Sequence, residues 1–141
     1  MMDPKPIVIV GYDDIMGLDL VGPMEAFGSA QVRSSRGATE ACYRVTIAAL
    51  EGKTFRSEFG LSFSAEKSLA SIREADTVIV PGGSGLRCSN APERLSEWLL
   101  KTADSIRRIA SICTGIYGIA PSGLLDGRKV STHWKFAADL A

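Results

Sequence analysis

Histidine occurs once in the 141 residues, at position 133, and cysteine only three times, at 42, 88 and 113. A single imidazole excludes a His-rich metal site. Three thiols with no C-x-x-C spacing form neither a disulfide framework nor a zinc pattern. The sequence therefore asks for no metal and no cofactor. An excess of one charge is missing too: 16 basic residues face 16 acidic ones. That balance supplies no long-range attraction to nucleic acid or to an anionic membrane. The pairs Arg33/Arg36, Arg107/Arg108 and Arg128/Lys129 are too short and scattered to make a binding stripe, and they read as solvated faces. No apolar run approaches the ~20 residues of a membrane span, and the start, Met1-Met2-Asp3-Pro4-Lys5-Pro6, carries no secretory apolar core. Repeats, low-complexity tracts and linkers are absent. What remains is one domain over 1–141 in a reducing, cytoplasmic setting, with 45% hydrophobic residues to build a core.

What the chain does have is short β-branched runs alternating with helical patterns. Strands are expected over 6–10, 43–48, 76–80 and 109–112, with a further short one over 129–132. A helix is expected over 18–27, with Pro23 in its first turn and an inner stripe of Met24, Phe27 and Ala30; it should end before the turn-like Ser34-Ser35-Arg36-Gly37. Alternation around Gly60 between Phe55 and Ala65 suggests a hairpin or edge pair. A short helix or turn is expected over 69–75, a helix over 92–101 capped by Asn90, a turn over 124–127 and a helix start over 134–140. Such alternation implies a parallel sheet wrapped on both faces, with ligands beyond the carboxyl ends of its strands.

Three loops meet that edge. In the last, an apolar run stops at Cys113 and a small-residue helix pattern starts at Thr114 and Gly115. A strand turning straight into a helix is the geometry of a nucleophile elbow, and such a helix would aim its free N–H groups at the sulfur. A buried structural thiol is the competing reading. Asp19 would transfer protons to and from the sulfur, or else cap the helix at Pro23. The Gly82 and Gly83 amides, with that of Thr114, would cradle an oxyanion, although Pro-Gly-Gly is also an ordinary turn. His133 is either a partner for the thiol or a cap. Asp13 and Asp14 read as turn residues, and Cys42 and Cys88 as structural or incidental.

Three stretches together resemble the ThiJ/PfpI superfamily, the class I glutamine amidotransferase-like fold. They are Leu18-Asp19-Leu20-Val21-Gly22-Pro23-Met24-Glu25-Ala26-Phe27, then Val78-Ile79-Val80-Pro81-Gly82-Gly83-Ser84-Gly85-Leu86-Arg87, then Ala110-Ser111-Ile112-Cys113-Thr114-Gly115 running on to Gly123-Leu124-Leu125-Asp126-Gly127-Arg128-Lys129-Val130-Ser131-Thr132-His133-Trp134. The wording of the last two is similar to the N-terminal domain of AraC-family transcriptional regulators. The resemblance implies a flavodoxin-like three-layer sandwich with a mostly parallel sheet, usually dimeric. It makes Cys113 the elbow cysteine, Asp19 the acid facing it, Gly83 and Thr114 the oxyanion-hole amides, and His133 the histidine found near the cysteine in some members. In isocyanide hydratases, which share Leu-Asp-Leu-x-Gly-Pro and Cys-Thr-Gly, the paired Asp and Cys are catalytic.

The chain also departs from the family pattern. Thr114 stands where protease-like members place a histidine, which argues against a peptidase or glutaminase. Pro121 interrupts the helix after the elbow. Family domains continue past Trp134 with a strand, a glycine-rich hairpin and a closing helix, so a C-terminally incomplete domain is expected, with DNA contacted only through a helix-turn-helix domain outside this chain. The implied function is the small-molecule-sensing, dimerising domain of an AraC-type regulator. Two alternatives stand beside it: a Cys/Asp enzyme of the isocyanide hydratase or amidase type, and a carbonyl-stress or redox protein using the thiol.

Overall fold

Ile7, Val8, Ile9 and Val10 are each at most 2% exposed, as a β-branched run covered on both faces must be. In the computed structural model, which describes residues 3–35 and 37–140, they form the centre of β1 (Lys5–Gly11). There follow α1 (Gly17–Gly28), β2 (Gln31–Arg33), β3 (Thr39–Ala41), β4 (Tyr43–Ala49), β5 (Thr54–Arg56), β6 (Ser62–Ser64) and β7 (Lys67–Ser68). After these come β8 (Thr77–Val80), α2 (Gly85–Cys88), α3 (Ala91–Thr102) and β9 (Arg108–Ser111). Beyond β9 the described chain runs in 3-10 turns at Cys113–Gly118, Ala120–Ser122 and Trp134–Phe136.

The fold is α/β with a parallel central sheet of order β7-β4-β1-β8-β9, in agreement with the sequence pattern. Ile9 lies in register with Ile47 on one side and Ile79 on the other. From β1 the chain crosses through α1 to β4; from β8 it crosses through α3 to β9, in the opposite direction. Right-handed crossovers that run in opposite directions place α1 and α3 on opposite faces. The switch in direction falls between β1 and β8, where open sheets of this kind part their loops into a crevice. Leu20 from α1 and Leu95 and Leu99 from α3 are fully buried, and Phe27 meets Tyr43 edge-on at 5.1 Å.

Several expectations are corrected. The first helix starts at Gly17, so Pro23 sits in its interior rather than its first turn; the start is fixed upstream, where the Met16 amide donates to the Gly82 carbonyl at 2.8 Å. Ala30 lies past the helix end. The cluster read as a turn at 34–37 is the tip of a hairpin, closed by the bond from the Gly37 amide to the Ser34 carbonyl at 2.9 Å; its strands, β2 and β3, were not expected, and Arg36 lies outside the described residues. Asn90 makes no side-chain cap; the Ser89 hydroxyl accepts from the Ala91 amide instead, at 3.1 Å. No α-helix follows Cys113, because Pro121 and the glycines at 115 and 118 leave room only for 3-10 turns. The 129–132 stretch forms no strand and has no regular secondary structure. The hairpin between Phe55 and Ala65 is present as β5–β6. No helix among the described residues is long and apolar enough to cross a membrane.

At the opposite end of the sheet Asp76 clips β8 to β9. The Arg107 guanidinium donates to both its oxygens, at 2.7 and 2.6 Å, and the Thr77 hydroxyl adds a third bond at 2.8 Å. The bonds from Arg107, followed by that from Thr77, hold the Asp76 carboxyl at about 2. A carboxyl depressed in the folded state contributes stability that is present above its unfolded value and lost as pH falls through the folded one. Asp76→Asn is therefore expected to flatten the acid limb of the stability curve between about pH 4 and pH 2. Thermal melts of both proteins across that window check it.

Candidate functional site

The loop after β8, Pro81-Gly82-Gly83-Ser84, lies at the crevice, and its amides are spoken for. Gly82 N–H donates to Asp19 Oδ2 at 3.2 Å, Gly83 N–H to Thr114 Oγ1 at 3.1 Å, and Ser84 N–H to Glu58 Oε1. Three successive amides thus fasten three distant segments: α1, the turn after β9 and the β5–β6 turn. Glycine is required at position 82. A Cβ there would lie 2.8 Å from Asp19 Oδ2 and 2.9 Å from both the amide nitrogen and the hydroxyl of Thr114. Asp19 and Thr114, 95 residues apart in number, therefore face the same point.

Asp19 is in the first turn of α1 but does not cap it; its carboxylate turns to the loop. Burial is the main reason its proton is held more tightly than in an ordinary aspartate; the Gly82 amide opposes this, and the negative charge of Glu58 adds to it. Tyr12, the residue after β1, is 3% exposed and donates its hydroxyl to the Pro81 carbonyl at 2.6 Å. Burial pushes its phenol far up, with the neighbouring Asp19, Glu58 and Cys113 adding to the effect and Arg87 opposing it. Tyr12 thus shares one neighbourhood with both Asp19 and Cys113. Sequence reasoning missed Tyr12 and Glu58. A tyrosine closing a buried strand signals a hydroxyl that needs a partner; Glu58, in a polar turn, gives no signal.

Cys113 is half-buried and has φ 53, a left-handed conformation that costs a non-glycine residue about 1–2 kcal/mol. The strain comes from the sharp exit from β9, which the next glycine makes possible. A Cβ on Gly115 would lie 2.0 Å from the Val80 carbonyl oxygen, so the turn presses directly onto β8. Cys113→Gly is expected to leave stability unchanged or to raise it by up to about 1 kcal/mol, since strain relief exceeds glycine's extra backbone entropy only slightly. A urea midpoint checks this; a clear fall would make the side chain structural.

His133 is brought near but not into the site. Its Nδ1 accepts from the Lys135 amide at 3.2 Å, and its ring lies against Trp134 and Phe136. It caps the last 3-10 turn. The preceding Thr132 donates its hydroxyl to the Cys113 carbonyl at 3.0 Å, and Arg87 stacks over Phe136 at 4.2 Å. These contacts hold the 132–136 stretch beside the Cys113 turn. Cys88 is exposed and Cys42 half-buried before β4. A cavity of about 160 Å³ opens next to this arrangement; Tyr12, Phe55, Glu51 and Gly85 line it, while Asp19 and Cys113 do not. No group of three or more His, Cys, Asp or Glu side chains among the described residues is placed to hold a metal ion.

Chemically the arrangement brings together a carboxyl that keeps its proton longer than usual, a strained thiol turn and a loop whose amides are already bonded. Residues 5–141 match the family model described as DJ-1/PfpI family. The chain is 34% identical over 138 residues to an uncharacterized protein in the cpoL 5' region of Streptomyces lividans, covering 98% of this chain and 94% of that one. It is 29% identical over 136 residues to the HTH-type transcriptional regulator GbdR of Pseudomonas aeruginosa, covering 96% of this chain and 36% of the regulator. With the isonitrile hydratase of Pseudomonas putida it shares 25% identity over 125 residues, 89% of this chain and 50% of the hydratase. Of the regulator and the hydratase it thus spans about a third and a half. A ThiJ/PfpI family protein from Pseudomonas syringae superposes with TM-score 0.81 at 25% identity, covering 99% of this chain and 54% of that one.

Proposed function

The chain belongs to the DJ-1/PfpI family, and from that membership we propose that it is the small-molecule-sensing and dimerising domain of an AraC-type transcriptional regulator. In this reading the ligand sits at the Asp19/Cys113 edge of the sheet, and a separate helix-turn-helix domain contacts DNA. The observation that carries the reading is the state of the loop amides. Catalysis at a developing oxyanion needs donors left free and aimed at that charge, whereas two of the three expected donors, the Gly82 and Gly83 amides, are bonded to Asp19 and Thr114. Such a loop holds α1, the turn after β9 and the β5–β6 turn in one fixed arrangement. The likeness to the regulator GbdR over 96% of this chain supports the same reading. So does the formal net charge of +0, which leaves DNA attraction to another domain.

The second reading is a hydratase, and one observation favours it: Asp19 holds its proton above the ordinary carboxylate range beside a thiol turn, in a chain similar to an isonitrile hydratase. There the Cys113 sulfur would add to the isocyanide carbon while Asp19 delivers the proton to that carbon. Water would then displace the sulfur, leaving the N-formamide. The deciding experiment incubates the protein with an alkyl isocyanide and looks for that product, beside a thermal-shift panel of small metabolites. The sensing reading expects a panel compound to raise the melting temperature in the wild type but not in Asp19→Ala, with no N-formamide. Turnover that disappears in Cys113→Ala would overturn it. A coding sequence that runs on into a helix-turn-helix segment would support sensing independently.

A further inference from the structure

Two hydrogen bonds described above share one peptide unit. The Tyr12 hydroxyl donates to the carbonyl of Pro81, and the amide joined to that carbonyl, Gly82 N–H, donates to Asp19. In a planar trans peptide these two groups point to opposite edges of the plane. Tyr12 and Asp19 therefore grip the same plate from its two sides. The next plate is gripped likewise, its carbonyl by the Met16 amide at 2.8 Å and its amide by Thr114. The Tyr12 bond is the shortest of the four, and it is buried, where hydrogen bonds polarise one another.

We propose that Tyr12 is a positioning residue: its hydroxyl fixes the Pro81–Gly82 peptide and thereby aims the Gly82 amide at the Asp19 carboxyl, setting that group's place and acidity. A hydroxyl bonded to the carbonyl draws electron density from the amide and makes Gly82 N–H a stronger donor. That donor stabilises the carboxylate form of Asp19, against the two influences that oppose it, burial and Glu58. The other ionisable neighbours are Cys113, from the turn after β9, and Arg87, from α2, both of which act on Tyr12. Removing the Tyr12 hydroxyl alters none of their charges, because the buried phenol is neutral.

The inference rests on the reading of Asp19 as a working group of the site, yet it is tested without any ligand. The carboxyl carbon of Asp19 is followed by NMR through a pH titration in the wild type, in Tyr12→Phe, and with 3-fluorotyrosine placed at position 12. Tyr12→Phe should make Asp19 hold its proton more tightly, on the order of three- to tenfold. Fluorotyrosine, a stronger donor of the same shape, should move the midpoint the other way. Phe55→Leu, a change in a buried ring that has no polar group to bond the peptide, should leave it in place. An unmoved midpoint in either folded Tyr12 protein, or an equal shift in Phe55→Leu, overturns the proposal; if Tyr12→Phe does not fold, the fluorotyrosine result decides alone. A failed ligand panel would strike the sensing reading and leave this result standing.

Discussion

Gly115→Ala is expected to leave little folded protein at 25 °C. The methyl carbon would be placed 2.0 Å from the Val80 carbonyl oxygen, 2.9 Å from the Val80 carbonyl carbon and 3.0 Å from the Pro81 oxygen. All three atoms are backbone, and Val80 closes β8, which is paired with both β1 and β9. No side chain can swing aside, so either the turn lifts away or the strand end shifts. Lifting the turn breaks the bond from the Ile112 amide to the Val80 carbonyl, 3.0 Å, and opens the contact between Thr114 and Gly83. We expect a loss of about 4 kcal/mol or more, at the extreme of single substitutions and a large share of the 5–15 kcal/mol that holds an ordinary domain. Soluble yield and a urea midpoint measure it. Gly28→Ala is the control, since a Cβ at that exposed helix-end position meets nothing within 4 Å beyond its chain neighbours and no proline follows it; it should leave stability unchanged or raise it by up to about 0.5–1 kcal/mol through helix propensity. A Gly115→Ala midpoint close to the wild type would mean that the turn does not pack on β8 as described.

The contrast between these two glycines shows which parts of the fold were legible beforehand. The strands at 6–10 and 76–80 stood out because doubly covered parallel strands must be continuously apolar, and their Ile and Val residues are buried; those at 43–48 and 109–112, partly exposed, stood out only as short β-branched runs. The three loops at the carboxyl edge followed from the topology that those strands imply. The β2–β3 hairpin was invisible because its exposed, mixed residues obey no burial pattern; Val32, its one large apolar side chain, is 38% exposed. The 3-10 path after Cys113 was half legible. Pro121 signalled an interruption, but the small residues before it suit a helix and a tight turn equally well. Of the candidate residues, Asp19, Gly82 and Thr114 lie together, a close approach that motif glycines and a turn cysteine mark in the sequence. Which amide meets which side chain was not readable. It depends on distances between segments as far apart as residues 19, 58, 83 and 114, and no local rule carries such distances. For that reason the bond from the Gly83 amide to the Thr114 hydroxyl was not foreseen.

Gly82→Ala is the second large effect, and its size should depend on pH. The new methyl would lie 2.8 Å from Asp19 Oδ2 and 2.9 Å from the Thr114 amide nitrogen and hydroxyl. The Asp19 side chain can rotate away, whereas the Thr114 backbone must shift, so overpacking should cost about 1–3 kcal/mol and leave a folded protein. Rotation also deprives the carboxylate of the Gly82 amide, the one influence that lowers its proton affinity. A carboxyl raised in the folded state holds its proton more tightly there than in the unfolded chain, so ionising it costs stability as pH rises through its titration. Loss of the amide enlarges that penalty. It does so only where Asp19 is ionised, because the protonated acid has less need of a donor. The destabilisation of Gly82→Ala should therefore be larger at pH 7 than at pH 4, and the Asp19 midpoint should move up. Any compound bound at the Asp19/Cys113 edge should lose on the order of tenfold or more in affinity, the weight of one bond to a charged group. Urea melts at the two pH values and the carboxyl titration measure these effects. An equal loss of stability at both, with the Asp19 midpoint unmoved, would show that the loop is tied to β8 alone and that Asp19 takes no part in it.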